Sequence, residues 1–265
     1  VGYIGGFLVY FFIFFFGAQV MRGVIEEKTS RILELIVSSV KPFQLMMGKI
    51  IGVGMVGLTQ FIFWIILTSG IVFTVQYTLR AGSPVVESSE MTPESIFEAK
   101  PVLGQNNVPE KTTEFQGYIE GLEEVPFLKV IACFLFYFLG GFILYGSLFA
   151  AVGAASDSET DTQQFILPVT IPLILGFFIM LSAFTNPEGQ MATIFSIVPL
   201  TSPVVMMGRI GFDIPLFQII ISMLVLVITF LGTTWLAGKI YRTGILMYGK
   251  KVSYKELWKW IRYRN

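Results

Sequence analysis

The sequence contains no histidine and only one cysteine, and these shortages exclude several kinds of chemistry. Without histidine there is no Ser-His pair for nucleophilic hydrolysis, and a zinc ligand set is missing as well. Cys133 cannot form a disulfide within the chain. We therefore predict neither a catalytic site nor a metal site in this chain.

Charge is absent from five long stretches, each long enough to cross the hydrocarbon core of a bilayer, which needs about 20 helical residues. Hydrophobic residues form 54% of the chain, more than a soluble domain would carry. The sequence predicts an all-α, polytopic helical membrane protein, with residues 1–265 forming one transmembrane domain. Uncharged spans argue against a proton-coupled secondary transporter, which normally keeps an intramembrane acid or histidine. The predicted spans are residues 1–21, 50–79, 130–156, 162–187 and 214–238.

The sequence also lacks a Walker A motif, the glycine-rich loop ending in Gly-Lys-Ser/Thr that holds nucleotide phosphates. The segment "MMGKI" has the Gly-Lys pair but neither the loop before it nor the hydroxyl after it. If ATP drives this protein, another chain must hydrolyse it. No cofactor and no nucleic-acid partner is predicted for this chain.

Charged residues gather in the connections between spans, and their signs predict an orientation. The tail over residues 239–265 carries eight Lys or Arg against one Glu, and residues 22–49 carry five cations. By the positive-inside rule both segments are predicted to be cytoplasmic. Residues 80–125 carry nine glutamates against three cations and are predicted to form an outside loop. We expect a multi-pass protein of the cell membrane, which in a bacterium is the cytoplasmic membrane.

One further uncharged run, "GQMATIFSIVPLTSPVVMMG", is not predicted to cross the membrane. Pro199 and Pro203 interrupt helical hydrogen bonding in its middle. A crossing here would also put the basic tail outside. We predict two re-entrant half-helices over residues 189–210 on the outer side, which dip into the bilayer and return.

The segment "GVIEEKTSRILELIVSSVKP" places three carboxylates between two apolar runs. In a helix over residues 23–40, Arg31 would lie four residues after Glu27 and three before Glu34. These charges lie opposite an apolar stripe, which predicts an amphipathic helix along the cytoplasmic interface. Pro42 would then lie in the first turn of the next span. The helix is either a solvated juxtamembrane element or a docking element for a cytoplasmic partner.

Two further sets of polar residues are candidates for function. The segment "SDSETDTQQF" is either a turn capped by Asp161 or Thr162 or a second contact with a cytoplasmic partner. That contact would use Asp157, Glu159 and Asp161. Amides and hydroxyls inside the spans either make interhelical hydrogen bonds or line a transport path. The path-lining candidates are Gln60, Tyr145, Gln163 and Gln164.

Three blocks follow one another in an order that matches a known family: "EEKTSRILELIVSSVKPFQLMMGKIIG", "AAVGAASDSETDTQQFILPVTIPLIL" and "SIVPLTSPVVMMGRIG". In this combination the chain resembles ABC transporter permeases of the type 2 export class, particularly the NatB-like sodium-export and drug-export branch. The resemblance implies six spans in a complete chain, both termini inside and two outer half-helices before the last span. Because the chain begins with Val inside an apolar run, we expect an N-terminal truncation.

The resemblance also implies that the helix over residues 23–40 is a coupling helix. It would seat in a groove of a separate nucleotide-binding ATPase, which would bind ATP and magnesium. Two permease subunits, identical or different, would form a path through the lipid bilayer for sodium or a drug-like amphiphile. The alternative is a membrane scaffold or assembly factor that docks a cytoplasmic partner without transport. The residues that match the family's charged coupling positions are Glu26, Glu27, Lys28, Arg31 and Glu34.

Overall fold

The computed structural model describes residues 2–30, 40–82, 127–156, 159–212, 214–247 and 253–262. Within these ranges the regular structure is entirely helical. The helices are α1 (Gly2–Thr29), α2 (Pro42–Gly82), α3 (Phe127–Ala155), α4 (Glu159–Ser182), α5 (Gln190–Ile197), α6 (Ser202–Arg209), α7 (Leu216–Gly244) and α8 (Tyr254–Arg262).

Five of the helices, α1, α2, α3, α4 and α7, are long and apolar enough to cross a membrane. They correspond in order to the five predicted spans. The prediction of an all-α, polytopic membrane protein with five transmembrane helices is therefore confirmed.

Helix α1 continues to Thr29, well beyond the predicted end of the first span at residue 21. Its buried face recurs at helical spacing and runs on through Val20, Val24 and Lys28. Because this face packs against α3, the helix does not end where its charged residues begin. Residues 23–29, predicted to start a separate interfacial helix, are instead the last two turns of α1.

The rest of that predicted amphipathic helix, residues 31–39, lies outside the described residues. Helix α2 begins at Pro42, in agreement with the prediction that this proline opens the next helix. A proline suits the first turn because its missing N–H would have no partner there.

The chain divides into two compact units, Val1–Thr59 with Phe127–Asn265 and Gln60–Pro126. In the first unit α3 is the central helix, since it packs along both α1 and α7. Aromatic and aliphatic side chains fill these contacts, with the Phe12 and Phe138 rings meeting edge to face. Helix α6 contacts α1, α3, α4 and α7 and completes the core of this unit.

The segment predicted to hold two half-helices contains α5 and α6. Each has eight residues, a length of about 12 Å, which is too short to cross a bilayer. In the turn between them, Thr201 Oγ1 donates to the carbonyl oxygen of Phe195 at 2.6 Å. The Tyr145 hydroxyl of α3 donates to Leu200 O at 2.5 Å. The position of this pair on the outer side stays a prediction.

Helices α1 and α6 approach each other backbone to backbone. A Cβ added at Gly6 would lie 3.0 Å from Val204 O and 3.1 Å from the Gly208 nitrogen. Only glycine fits such a contact. All eight residues of α6 are buried, because α6 packs closely against α1 and is also surrounded by other helices.

The described part of the second unit is the end of α2, from Gln60 to Gly82. Its large apolar side chains, such as Phe63 and Phe73, are exposed. The Thr68 and Thr74 hydroxyls donate to carbonyls one turn earlier in the same helix. Such a surface suits contact with lipid, since its polar groups are satisfied locally. Residues 80–82 of the predicted outside loop belong to α2, and the rest of that loop lies outside the described residues.

Candidate functional site

Charged and polar side chains of the first unit gather at two ends. The Lys28 end, as we call it, comprises the last turns of α1, α3 and α7, the first turns of α2 and α4, and α8. The Arg209 end comprises α5, α6 and the start of α1 and α7. The length of α1 between Gly2 and Lys28 separates these ends by about 39 Å.

Three consecutive residues at the Lys28 end point in different directions, because successive residues of a helix are rotated by about 100°. Glu26 is exposed, Glu27 faces the start of α2, and Lys28 is buried against the end of α3. Glu26 therefore offers its carboxylate to solvent or to a partner. The other two side chains make contacts within the chain.

Glu27 and Lys49 form an ion pair between α1 and α2. The distance from Glu27 Oε2 to Lys49 Nζ is 2.6 Å, and the side chains are 31% and 15% exposed. A partly buried pair is screened by salt less than an exposed one. The pair links the two helices that flank residues 30–41.

Lys28 is only 1% exposed, and its ammonium donates to Ala154 O at 2.9 Å. Ala154 lies in the last turn of α3, where carbonyls lack helical donors and the helix dipole is negative. A cation is stabilised at this position. Lys28 is predicted above to contact a partner, but it lies inside the chain because the α3-facing side of α1 extends through residue 28.

The end of α7 and helix α8 complete the Lys28 end. Gly244, the last residue of α7, lies so close to α3 that an added Cβ would be 2.7 Å from Ala154 O. Trp260 of α8 is 5% exposed and packs with Ala155 and Phe165. Helix α8 therefore fixes part of the predicted basic tail, residues 239–265, to the ends of α3 and α4.

The other predicted partner-contacting residues lie partly outside the residues that the structure describes. Arg31, Glu34 and Asp157 lie outside the described residues, so their coupling roles stay predictions. Glu159 and Asp161 lie in the first turn of α4, which begins at Glu159. Asp161 and Thr162 are therefore inside the helix and do not cap it, which differs from the capped turn predicted above.

The predicted path-lining residues lie at different levels. Tyr145 is fully buried, and its hydroxyl bonds to the turn between α5 and α6 near the Arg209 end. Gln163 and Gln164 are exposed at the start of α4, at the Lys28 end. Gln60 is exposed in the second unit. The hydrogen bond from Tyr145 to Leu200 is a contact between different parts of the fold. Such structural hydrogen bonds are the alternative to path lining given in the sequence analysis.

Arg209 is 1% exposed and organises the opposite end of the first unit. Its Nε donates to Pro187 O at 2.7 Å, and its Nη1 donates to Ser196 Oγ at 2.6 Å. Burial lowers the pKa of the guanidinium and the Glu188 carboxylate opposes this change, but arginine keeps its charge in proteins. Arg209 thereby joins α6 to the loop after α4 and to α5. Longer contacts reach Ala192, Thr193 and Gln218.

Sequence reasoning misses Arg209 and Trp260. A single arginine in the block "SPVVMMGRIG" carries no local sign that distinguishes a buried guanidinium from a surface one. Trp260 has a signal, because Leu257, Trp260 and Ile261 recur at i, i+3 and i+4. Only the charges of the tail were considered in the sequence analysis, and this apolar repeat was therefore overlooked.

Comparison with known proteins extends these observations. A family model described as ABC-2 family transporter protein matches residues 1–239. The chain is 28% identical to an uncharacterized protein, YhaP, of Bacillus subtilis (strain 168) over 256 residues, 96% of this chain and 53% of YhaP. It is 25% identical to an uncharacterized protein, MJ1024, of Methanocaldococcus jannaschii over 254 residues, 96% of this chain and 51% of MJ1024. The chain spans about half the length of these relatives. No solved structure matches.

Five long apolar helices and polar contacts concentrated at the helix ends define a multi-pass membrane protein. The chain belongs to the ABC-2 transporter family, whose model covers most of its length. The family is the transmembrane permease component of ABC transporters and is not their catalytic component.

Proposed function

We propose that the chain is the permease part of an ATP-driven exporter and that a separate ATPase, which binds ATP and magnesium, acts on its Lys28 end. Family membership supports the permease assignment. The absence of a Walker A motif from residues 1–265 supports an ATPase separate from this permease part. The Lys28 end is the cytoplasmic end in this proposal, since the described cations of residues 22–49 and of the basic tail belong to it.

The observation that carries the coupling role is a pair of contacts made by the last turns of α1, next to residues 30–41. Glu27 binds Lys49 of α2 at one side, and Lys28 binds Ala154 of α3. A displacement of the connection would therefore reach three membrane-spanning helices. Exposed Glu26 is the described residue that remains available to the ATPase, and Arg31 and Glu34 are proposed to extend the same surface.

The finer assignments are expectations that follow from the same resemblance. We propose that two permease halves, in one chain or two, enclose the path, and that the protein belongs to the NatB-like branch. Sodium or a drug-like amphiphile would be the substrate. Asp157, Glu159 and Asp161 are proposed as a second ATPase contact, because the start of α4 lies at the same end.

A charge exchange between Glu27 and Lys49 tests the coupling role. The full-length protein is reconstituted with its ATPase in proteoliposomes, and ATP hydrolysis is compared with that of the ATPase alone. We expect Glu27→Lys and Lys49→Glu each to lower the permease-dependent hydrolysis several-fold. The double variant should restore it, because the ion pair is rebuilt in reversed order.

The exposed residue provides a matched control. Glu26→Lys should weaken ATPase binding, and adding Lys49→Glu should not rescue it, since Glu26 does not pair with Lys49. Full stimulation in both single variants at the Glu27–Lys49 pair would contradict the coupling role. A scaffold without transport would instead bind the ATPase without changing its rate of hydrolysis relative to the ATPase alone. This would hold for the unchanged protein and for every variant.

A further inference from the structure

Helix α8 has one face packed against the first unit. Trp260 is buried against Ala155 and Phe165, and Leu257 is partly buried in the same cluster. Lys239 of α7 donates to Ile261 O at 3.3 Å and so binds the end of α8 to a membrane-spanning helix. These contacts hold α8 in a defined orientation on the ends of α3, α4 and α7.

The opposite face of α8 is basic and exposed. Lys255, Trp258, Lys259 and Arg262 follow the spacing i, i+3, i+4 and i+7, which places them on one side of the helix. Trp258 is 59% exposed, and the Arg262 guanidinium lies 5.6 Å from the centre of its ring. We call these four residues the α8 basic face.

The acidic residue of α8 does not belong to this face. Glu256 is partly buried, and its carboxylate accepts a hydrogen bond from the Ser253 nitrogen at 3.3 Å. The contact caps the start of α8. No carboxylate among the described residues of α8 therefore neutralises the α8 basic face.

The position of α8 matches the headgroup region of a bilayer. The helices that it touches are long and apolar enough to span a membrane, and it packs at their ends. Tryptophan is enriched at this level of membrane proteins, and lysine and arginine beside it attract anionic lipids. An amphipathic helix with an aromatic residue among cations is typical of an interfacial element.

We propose that the α8 basic face binds the headgroups of anionic phospholipids. The cations would contact the phosphate groups, and the exposed Trp258 ring would lie among the glycerol and upper acyl regions. The position of Trp258, beside cations at the ends of membrane-spanning helices, is the one that tryptophan takes at the membrane–water interface, and it favours lipid as the occupant. The proposal is independent of the direction of transport and of the ATPase.

Lipid binding to the full-length protein in a neutral detergent tests the proposal. Native mass spectrometry would measure retention of added phosphatidylglycerol and, separately, of phosphatidylcholine. We expect a clear preference for phosphatidylglycerol that declines as salt is raised. Each Lys→Gln or Arg→Gln change at positions 255, 259 and 262 should reduce the preference about fivefold at low salt.

Lys41→Gln is the matched control, since Lys41 is an exposed lysine at the Lys28 end but not on α8. It should reduce the preference less than any of the three α8 changes, because Lys41 does not belong to the cluster of cations around Trp258. The replaced side chains are exposed, so thermal unfolding should stay unchanged and verify folding. An undiminished preference in the triple variant would overturn the proposal. Loss of the ATPase without loss of lipid from that variant would assign the face to a protein partner and overturn it equally.

Discussion

Two buried cations stabilise opposite ends of the first unit, and each has neutral oxygen atoms as hydrogen-bond acceptors. Lys28 donates to a carbonyl of the last turn of α3, and Arg209 donates to a loop carbonyl and to the hydroxyl of Ser196. The C-terminal end of a helix carries partial negative charge and unpaired carbonyls, so a lysine is well placed there. Arginine suits the other end because its planar group donates to several acceptors at once.

Replacing Lys28 with methionine tests the first of these contacts. The methionine keeps most of the aliphatic stem but leaves Ala154 O without its donor. We expect Lys28→Met to lower the free energy of unfolding by about 1–3 kcal/mol, the cost of leaving a buried acceptor unpaired. Thermal unfolding of the purified protein in detergent would measure the change as a lower Tm.

Lys41→Met is the control for the same chemical change at an exposed position. It should leave Tm nearly unchanged. If both variants unfolded at the same temperature, the buried contact of Lys28 would contribute nothing measurable to stability.

At the scale of whole helices, tight contact between α7 and α3 determines how the Lys28 end closes. The last residue of α7 has no space for a side chain, since an added Cβ would lie 2.7 Å from Ala154 O, a backbone atom that cannot move alone. Gly232, near the middle of α7, is not constrained in this way. A Cβ added at Gly232 would meet nothing within 4 Å.

Gly244 and Gly232 of α7 give a paired prediction. Gly244→Ala should lower Tm because α7 must move away from α3, which also disturbs the seat of Trp260. Gly232→Ala should leave Tm unchanged or raise it, since alanine favours a helix over glycine by roughly 1 kcal/mol. Thermal unfolding of both variants under one condition decides the matter. Equal effects would show that the close approach at Gly244 is not a constraint.

Helix existence was predictable from the sequence, because lipid requires long uncharged runs for every crossing. The residues at which helices end were harder to predict from the sequence. Residues 23–29 look interfacial by charge, yet tertiary packing of Val24 and Lys28 on α3 keeps them in α1. The same packing decides that Lys28 points inward while Glu26 points outward. The sequence shows which residues share a face of a helix, but it does not show which neighbouring helix each face contacts.

For the molecule as a whole, the Lys28 end contains both a region suited to a protein partner and one suited to lipid. We propose exposed Glu26 for the former and the α8 basic face for the latter. Helices α1, α2 and α3 are linked there by the Glu27–Lys49 and Lys28–Ala154 contacts. The chain spans about half the length of the curated relatives that it matches.

The most direct test of the central claim is to purify the full-length protein from its native membrane and identify what is bound to it. Mass spectrometry would identify bound chains by sequence, and ATP hydrolysis by the complex would be measured. We expect a chain with a Walker A motif in stoichiometric amount, active in hydrolysis and lost from the Glu26→Lys variant. A protein that carries no such chain, yet drives flux in vesicles from an ion gradient alone, would contradict the account.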